Sequence, residues 1–184
     1  MINTIVWILP LLLPLIWAVF SYNRLVRYKN MVLAAWSDIS VQLKRRHDLI
    51  PKLVDAVQAY SGYERSLLNE VTRLRTDSET ADNPTEKADL ELGLTGHIKS
   101  LIAVAEAYPD LKADSQYLHL LHQLTEVENN IQFARRYYNG AVQLLNVRID
   151  SFPDVLIART LGFRPADFFE LESASEALPP EIGT

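Results

Sequence analysis

Cysteine is absent from the sequence, which removes disulfides, thiolate nucleophiles and thiolate metal sites in one step. Glycine is scarce, confined to Gly62, Gly93, Gly96, Gly140, Gly162 and Gly183. That scarcity suits long helices and argues against an all-β fold or a phosphate-cradling loop. Charge is missing from one whole stretch. From Met1 to Phe20 there is no Lys, Arg, Asp or Glu, so the formal charge of −5 belongs entirely to residues 21–184. A mildly acidic remainder lacks the basic footprint of nucleic-acid binding, and no nucleic-acid partner is expected. A chain of 184 residues has room for one ordinary domain and an anchor, not for two ordinary domains.

The uncharged stretch is apolar as well. Ile5 to Phe20 reads Ile-Val-Trp-Ile-Leu-Pro-Leu-Leu-Leu-Pro-Leu-Ile-Trp-Ala-Val-Phe, and counted from Met1 it offers roughly the 20 residues a helix needs to cross a ~30 Å hydrocarbon layer. Trp7 and Trp17 stand near its ends, where indoles favour the interface. Pro10 and Pro14 remove helix hydrogen bonds, which membrane helices tolerate. A cleaved signal peptide would want a basic n-region and a small-x-small site; Met-Ile-Asn-Thr and Trp17-Ala18-Val19-Phe20-Ser21 supply neither well. A retained single-pass anchor over residues 1–21 is therefore expected. Arg24, Arg27 and Lys29 come directly after it, and the positive-inside rule then places a short N-terminus outside and the rest in the cytoplasm.

Beyond the anchor a helical period begins. Val32, Trp36, Ile39 and Leu43 form one apolar stripe. Asp48 offers an N-cap with Pro51 in the next first turn, so a new helix is expected there. Its stripe is Leu53, Val57, Tyr60, Glu64, Leu67, Val71 and Leu74. Polar residues from Thr76 to Thr85 predict a loop. Leu94, Ile98, Leu101, Ala105 and Tyr108 mark a third helix ended by Pro109. Asp114 or Ser115 caps a fourth, with Leu121, Leu124, Glu128, Ile131, Arg135, Tyr138, Val142, Leu145, Ile149 and Phe152 on its stripe before Pro153. At 1.5 Å per residue this last helix is on the order of 55 Å long. The expected fold is all-α: the transmembrane helix, then an elongated antiparallel bundle of three to four long helices over 22–170, then a flexible acidic tail over 171–184.

Several blocks resemble the LemA family, small bacterial membrane-anchored helical proteins. The most specific are Ala35-Trp36-Ser37-Asp38-Ile39 and Val41-Gln42-Leu43-Lys44-Arg45-Arg46-His47-Asp48-Leu49-Ile50-Pro51. Tyr22-Asn23-Arg24-Leu25-Val26, Tyr108-Pro109-Asp110-Leu111-Lys112, Glu128-Asn129, Ala134-Arg135, Tyr138-Asn139, Asn146 and Phe152-Pro153 support them. Ser40, Lys52 and Leu145 depart from the family's usual Asp, Asn and Tyr. The resemblance implies an N-out anchor and a cytosolic helical bundle, and supplies no established activity. Some relatives are associated with bacterial membrane organisation, magnetosome membranes included, which describes a setting and not a mechanism.

No catalytic, cofactor-binding or metal residues are assigned. His119, His122 and Glu126 share a helix face, yet no Glu-x-x-His pattern of a carboxylate-bridged metal site occurs. His47 beside Asp48 reads as part of a helix cap. Glu64, Glu128 and Arg135 fall on otherwise apolar stripes, so they are candidates for buried or interfacial charges, with Arg135 expected to meet Glu64 or Glu128 across the bundle. Lys44, Arg45 and Arg46 lie roughly 35 Å along the chain axis from the membrane end, beyond a ~8–10 Å screening length. They form a candidate interface patch towards an acidic surface on a second copy. Phe163, Phe168 and Phe169 extend that candidate patch in an apolar tail that folds back on the bundle or meets lipid or a second protomer. The expected role is a non-enzymatic membrane-anchored scaffold that forms a homo-oligomer and organises membrane or envelope proteins. The rival is a monomeric adaptor presenting its bundle to another membrane protein, such as a protease or signalling enzyme.

Overall fold

The computed structural model describes the backbone of residues 2–60 and 65–169, and the side chains of 12–59 and 65–169. All the secondary structure among these residues is helical: α1 (Ile2–Tyr60), α2 (Arg65–Thr80), α3 (Pro84–Ala105), α4 (Pro109–Ala113), α5 (Ser115–Asp150) and α6 (Asp154–Thr160). Two compact units share the long helices. Of the described residues, one contains those up to Asp38 together with Ala134–Asp167; the other contains those from Ile39 to Phe133 together with Phe168 and Phe169.

The expected break at Asp48 and Pro51 does not occur, because α1 runs through both. A proline inside a helix costs ~3 kcal/mol through its lost N–H and its clash with the preceding turn. Its neighbours Leu49, Ile50, Leu53 and Val57 are all buried, each contributing about 1.5–3 kcal/mol. Packing outweighs the local penalty. The helix also keeps a seven-residue repeat, with Leu25, Val32, Ile39, Arg46 and Leu53 all buried. Four of these five are aliphatic, the spacing that holds one seam against neighbouring helices.

In the first unit α1 and α5 are antiparallel, since low numbers in one meet high numbers in the other. Trp36 packs on Tyr138 with ring centroids 5.4 Å apart. Further along, Ser21 donates to Asp154 at 2.8 Å, and Tyr22 meets Phe163 edge-on at 6.0 Å. Arg148 donates to the other Asp154 oxygen at 2.9 Å, so that buried carboxylate is matched on both sides. Past α6 the chain turns at Gly162, whose φ of 72° an L side chain rarely adopts. The turn closes when Phe163 N donates to Ala158 O at 2.9 Å, a Schellman ending. Asn146 then clasps the returning chain: its Nδ2 donates to Ala166 O and its Oδ1 accepts from Ala166 N, both at 2.9 Å. Tyr138 adds a bond to Asp167 O at 2.9 Å. Asn146→Ala removes two bonds worth about 1 kcal/mol each. Amide exchange of residues 163–167 should quicken selectively; unchanged protection there would count against the clasp.

In the second unit α2 and α3 form a hairpin through Ala81, Asp82 and Asn83. The expected loop from Thr76 to Thr85 is helical as far as Thr80. Ser78 and Ala81 are buried on its inner face, while Thr72, Thr76 and Thr80 direct their hydroxyls back to carbonyls four residues earlier. The polar residues thus solvate the helix instead of ending it. Asn83 caps α3 by accepting from Thr85 N at 2.8 Å, with Pro84 next in the chain. Asp114 caps α5, as the sequence predicts, accepting from Gln116 N at 2.7 Å and Tyr117 N at 3.0 Å. The stripe of α5 is buried at Leu124 and Ile131 in this unit, and at Tyr138, Val142, Leu145 and Ile149 in the first. Phe152 is a correction. Helix α5 stops at Asp150, so that ring leaves the stripe and is 82% exposed.

Candidate functional site

Three helices of the second unit bring buried polar side chains together from positions on their inner stripes. On α1 it is Arg46, in register with the aliphatic residues of the repeat. On α2 it is Ser78, one turn beyond Leu68, Val71 and Leu74; on α3 it is Glu91, between Ala88 and Leu94. Glu128 joins from the half-buried stripe position of α5. Arg46 and Glu91 are 2% and 0% exposed. At that burial an unmatched charge costs several kcal/mol, so the geometry of the matching decides whether the layer is tolerated.

Arg46 is matched several ways. One terminal nitrogen lies 3.0 Å from Glu91 Oε2 and donates to Glu91 O and Thr95 Oγ1, each at 3.0 Å. The other donates to Glu128 Oε2 at 2.9 Å. The second Glu91 oxygen contacts His47 Nε2 at 2.6 Å and accepts from the Ser78 hydroxyl. At the rim, Glu79 lies 3.7 Å from His47 Nδ1 and 3.2 Å from Arg75. Burial pushes the Glu91 carboxyl up. His47, Arg46 and Ser78 outweigh that effect and leave it below its ordinary value. A lowered native pKa gives stability that is fully present above the ordinary carboxylate value of 4.5 and is lost as pH falls through the native value. Acid unfolding should therefore steepen below about pH 4.5 in the native chain, and Glu91→Gln should flatten that limb. Identical acid profiles would sink the assignment.

The sequence candidates distribute unevenly over this arrangement. Glu128 lies on the inner face and pairs with Arg46, whereas the expected partner of Arg135 is Glu64 or Glu128. Arg135 is half-buried in the other unit. Glu64 lies outside the described residues. The basic triplet divides: Lys44 and Arg45 are exposed, whereas Arg46 turns inward and is lost to any interface patch. Arg45 makes a loose pair with Glu126 at 3.4 Å, both largely exposed, of the kind that contributes about 0–1 kcal/mol. Among the apolar candidates Phe163 is half-buried against Tyr22, Phe168 is 40% exposed, and Phe169 is fully buried and so unavailable as a surface. His47 is not a cap residue but a buried partner of Glu91. One signal was available for the missed pair. Extending the stripe of Val32, Trp36, Ile39 and Leu43 by three lands on Arg46, and stepping back three from Leu94 lands on Glu91.

The family model described as "LemA family" matches residues 35–183. The chain belongs to the LemA family. Similar proteins include Protein LemA of Metamycoplasma hominis, 28% identical over 163 residues that cover 88% of this chain and 73% of that protein. Magnetosome protein MamQ 2 of Paramagnetospirillum magneticum is 25% identical over 181 residues, 84% of this chain and 66% of that protein. Magnetosome protein MamQ of Magnetospirillum gryphiswaldense is 23% identical over 189 residues, 88% of this chain and 70% of that protein. The chain thus spans about two thirds of the length of the MamQ proteins it matches. Of the LemA-like blocks, the one from Val41 to Pro51 carries Arg46 and His47, and the Glu128-Asn129 pair carries the exposed end of the layer.

Chemically, the layer of this LemA-family chain resembles a Ser–Glu–His grouping without the order that nucleophilic catalysis needs. Ser78 and His47 both bond to the same Glu91 oxygen, so the carboxylate is their shared partner where a base would have to be. The group is also closed to a substrate, with Ser78, Glu91, Arg46 and His47 all buried. Among the described residues no group of three or more His, Asp or Glu side chains is placed to hold a metal ion. The layer joins α1, α2, α3 and α5, and a slip of any one of them by a turn would strand a buried charge.

Proposed function

We propose that the chain is a membrane-anchored helical scaffold, non-enzymatic, that self-associates and organises membrane or envelope proteins at the bacterial inner membrane. The observation that carries this reading is the continuity of α1: one helix joins the uncharged apolar segment to the packed seam from Leu25 to Leu53. Leu13, Leu15, Ile16, Val19 and Phe20 are all exposed on it, a run that water disfavours and lipid accepts. Among the described residues no helix is long and apolar enough to cross a membrane. The expected anchor over 1–21 falls in large part on residues 1–11, whose side chains lie outside the described residues. The magnetosome names of the MamQ relatives are consistent with a membrane setting. Self-association draws support from a second apolar row on α5, where Tyr137, Leu144 and Val147 are exposed at spacings of seven and three.

Two measurements test the reading. With no native cysteine to remove, Thr4→Cys and Ser115→Cys report topology directly. Only the first should label from outside intact cells, and the reverse would overturn the orientation. Light scattering and electron microscopy of the full chain, in mild detergent and then in liposomes, test the scaffold. Ordered assemblies or reshaped vesicles are expected. A single small particle on an unchanged vesicle would replace the scaffold with the adaptor.

A further inference from the structure

The corner between α5 and α6 has a composition unlike the rest of this acidic chain. Residues 21–33 and 151–166 contribute Arg24, Arg27, Lys29, Arg159 and Arg164, all exposed. The one acid in those two segments is Asp154, which is buried against Ser21 and Arg148. In a protein of formal charge −5 these segments therefore present five cations and no exposed carboxylate. Asp150 and Asp167 flank the second segment at its ends.

Apolar side chains stand among those cations. Phe152 is 82% exposed, and Leu156 and Leu161 are each 55% exposed. Leu161 and Arg164 also line a groove of about 680 Å³ with Tyr22, Val26, Lys29 and Phe163. Its apolar floor and cationic rim suit a phosphate group with a hydrocarbon chain attached.

The position of the corner is set by contacts within its unit. Helix α5 runs antiparallel to α1, so its C-terminal end advances towards the uncharged end of α1. The Ser21–Asp154 bond and the Tyr22–Phe163 contact fix where it stops. That level is the boundary at which apolar residues give way to Arg24 along α1. Aromatic and aliphatic side chains interleaved with arginine are the composition that settles at the headgroup boundary.

We propose that the α5–α6 corner docks on the same bilayer that holds the anchor, with Phe152, Leu156 and Leu161 in the acyl boundary and the five cations on anionic phospholipid headgroups. The inference rests on the membrane-anchor reading and adds a second point of attachment, so the first unit lies against the membrane surface instead of swinging from one helix.

Nitroxide labels on the full chain test it, placed by Phe152→Cys, Leu156→Cys, Leu13→Cys for the anchor and Leu118→Cys as an exposed control. Vesicles of phosphatidylcholine with or without phosphatidylglycerol are compared, with an aqueous relaxation agent. In anionic vesicles labels 152 and 156 should be shielded like 13, while 118 stays accessible. The double variant Arg159→Gln and Arg164→Gln should weaken the shielded state about thirty-fold, roughly five-fold per cation. Accessible labels at 152 and 156 with 13 shielded would overturn the inference and leave the anchor standing. Shielding at 152 and 156 with 13 accessible would support the docking surface and overturn the anchor. Three accessible positions would overturn both. Shielding that is equal in neutral vesicles, or that brings spin–spin broadening between copies, would overturn the anionic bilayer as occupant.

Discussion

Arg46→Ala is expected to lower the unfolding free energy by about 3–5 kcal/mol, because it strands a buried carboxylate instead of merely deleting a contact. Glu91 would keep His47 and Ser78 but lose the guanidinium 3.0 Å away. Glu128→Gln removes a partner whose side chain is 34% exposed, and about 1 kcal/mol or less is expected there. The contrast between two partners of the same arginine is the useful quantity. Arg46→Met combined with Glu91→Met removes both buried charges, and exchanging a buried pair for apolar residues is often close to neutral. The double variant should therefore be more stable than either single one. Urea unfolding of the full chain in mild detergent, monitored by circular dichroism, reads all of these. Single effects that add to within about 0.5 kcal/mol would show that the two groups act independently and would refute the coupled layer.

The second large effect concerns the segment before Arg24. Leu13 and Ile16 are exposed on α1 in a stretch without charge. Placing arginine at both costs about 2.5–3.5 kcal/mol per residue near the centre of a span, so roughly 5–7 kcal/mol together. Leu13→Arg with Ile16→Arg is expected to move the protein from the carbonate-resistant membrane fraction to the supernatant, while Leu118→Arg, outside that stretch, leaves it in place. A double variant that still resists carbonate extraction would remove the anchor from the proposed function. The bundle should survive either way, since neither side chain contributes to the buried seam beginning at Leu25.

Which features could be read from residues alone depends on the range of the interactions involved. Asp114 caps α5 because its carboxylate reaches N–H groups two and three residues ahead, a local relation that needs no knowledge of the fold. The stripes on α3 and α5 are equally local, since a period near 3.5 residues is a property of one helix. The break placed at Pro51 failed for a non-local reason: the proline penalty is set by the chain, whereas the offsetting burial of Leu49, Ile50, Leu53 and Val57 is set by other helices. Arg46 lies before that break, three residues past Leu43 on the same stripe, so its inward position is within reach of the periodicity of one helix.

The sequence by itself determined the helical class, the family, the uncharged apolar opening and the need of charges such as Glu128 for a partner, because periodicity, capping and charge counting act over a few residues. The identity of the partner was decided by tertiary structure alone. Glu91, Arg46, His47 and Ser78 converge from three helices, and distances of about 3 Å between them depend on how those helices pack. Tertiary structure likewise buried Phe169, exposed Phe152 and set the α5–α6 corner beside Ser21. A side chain's surroundings are a property of the neighbours that reach it, and in this chain those neighbours are distant in sequence.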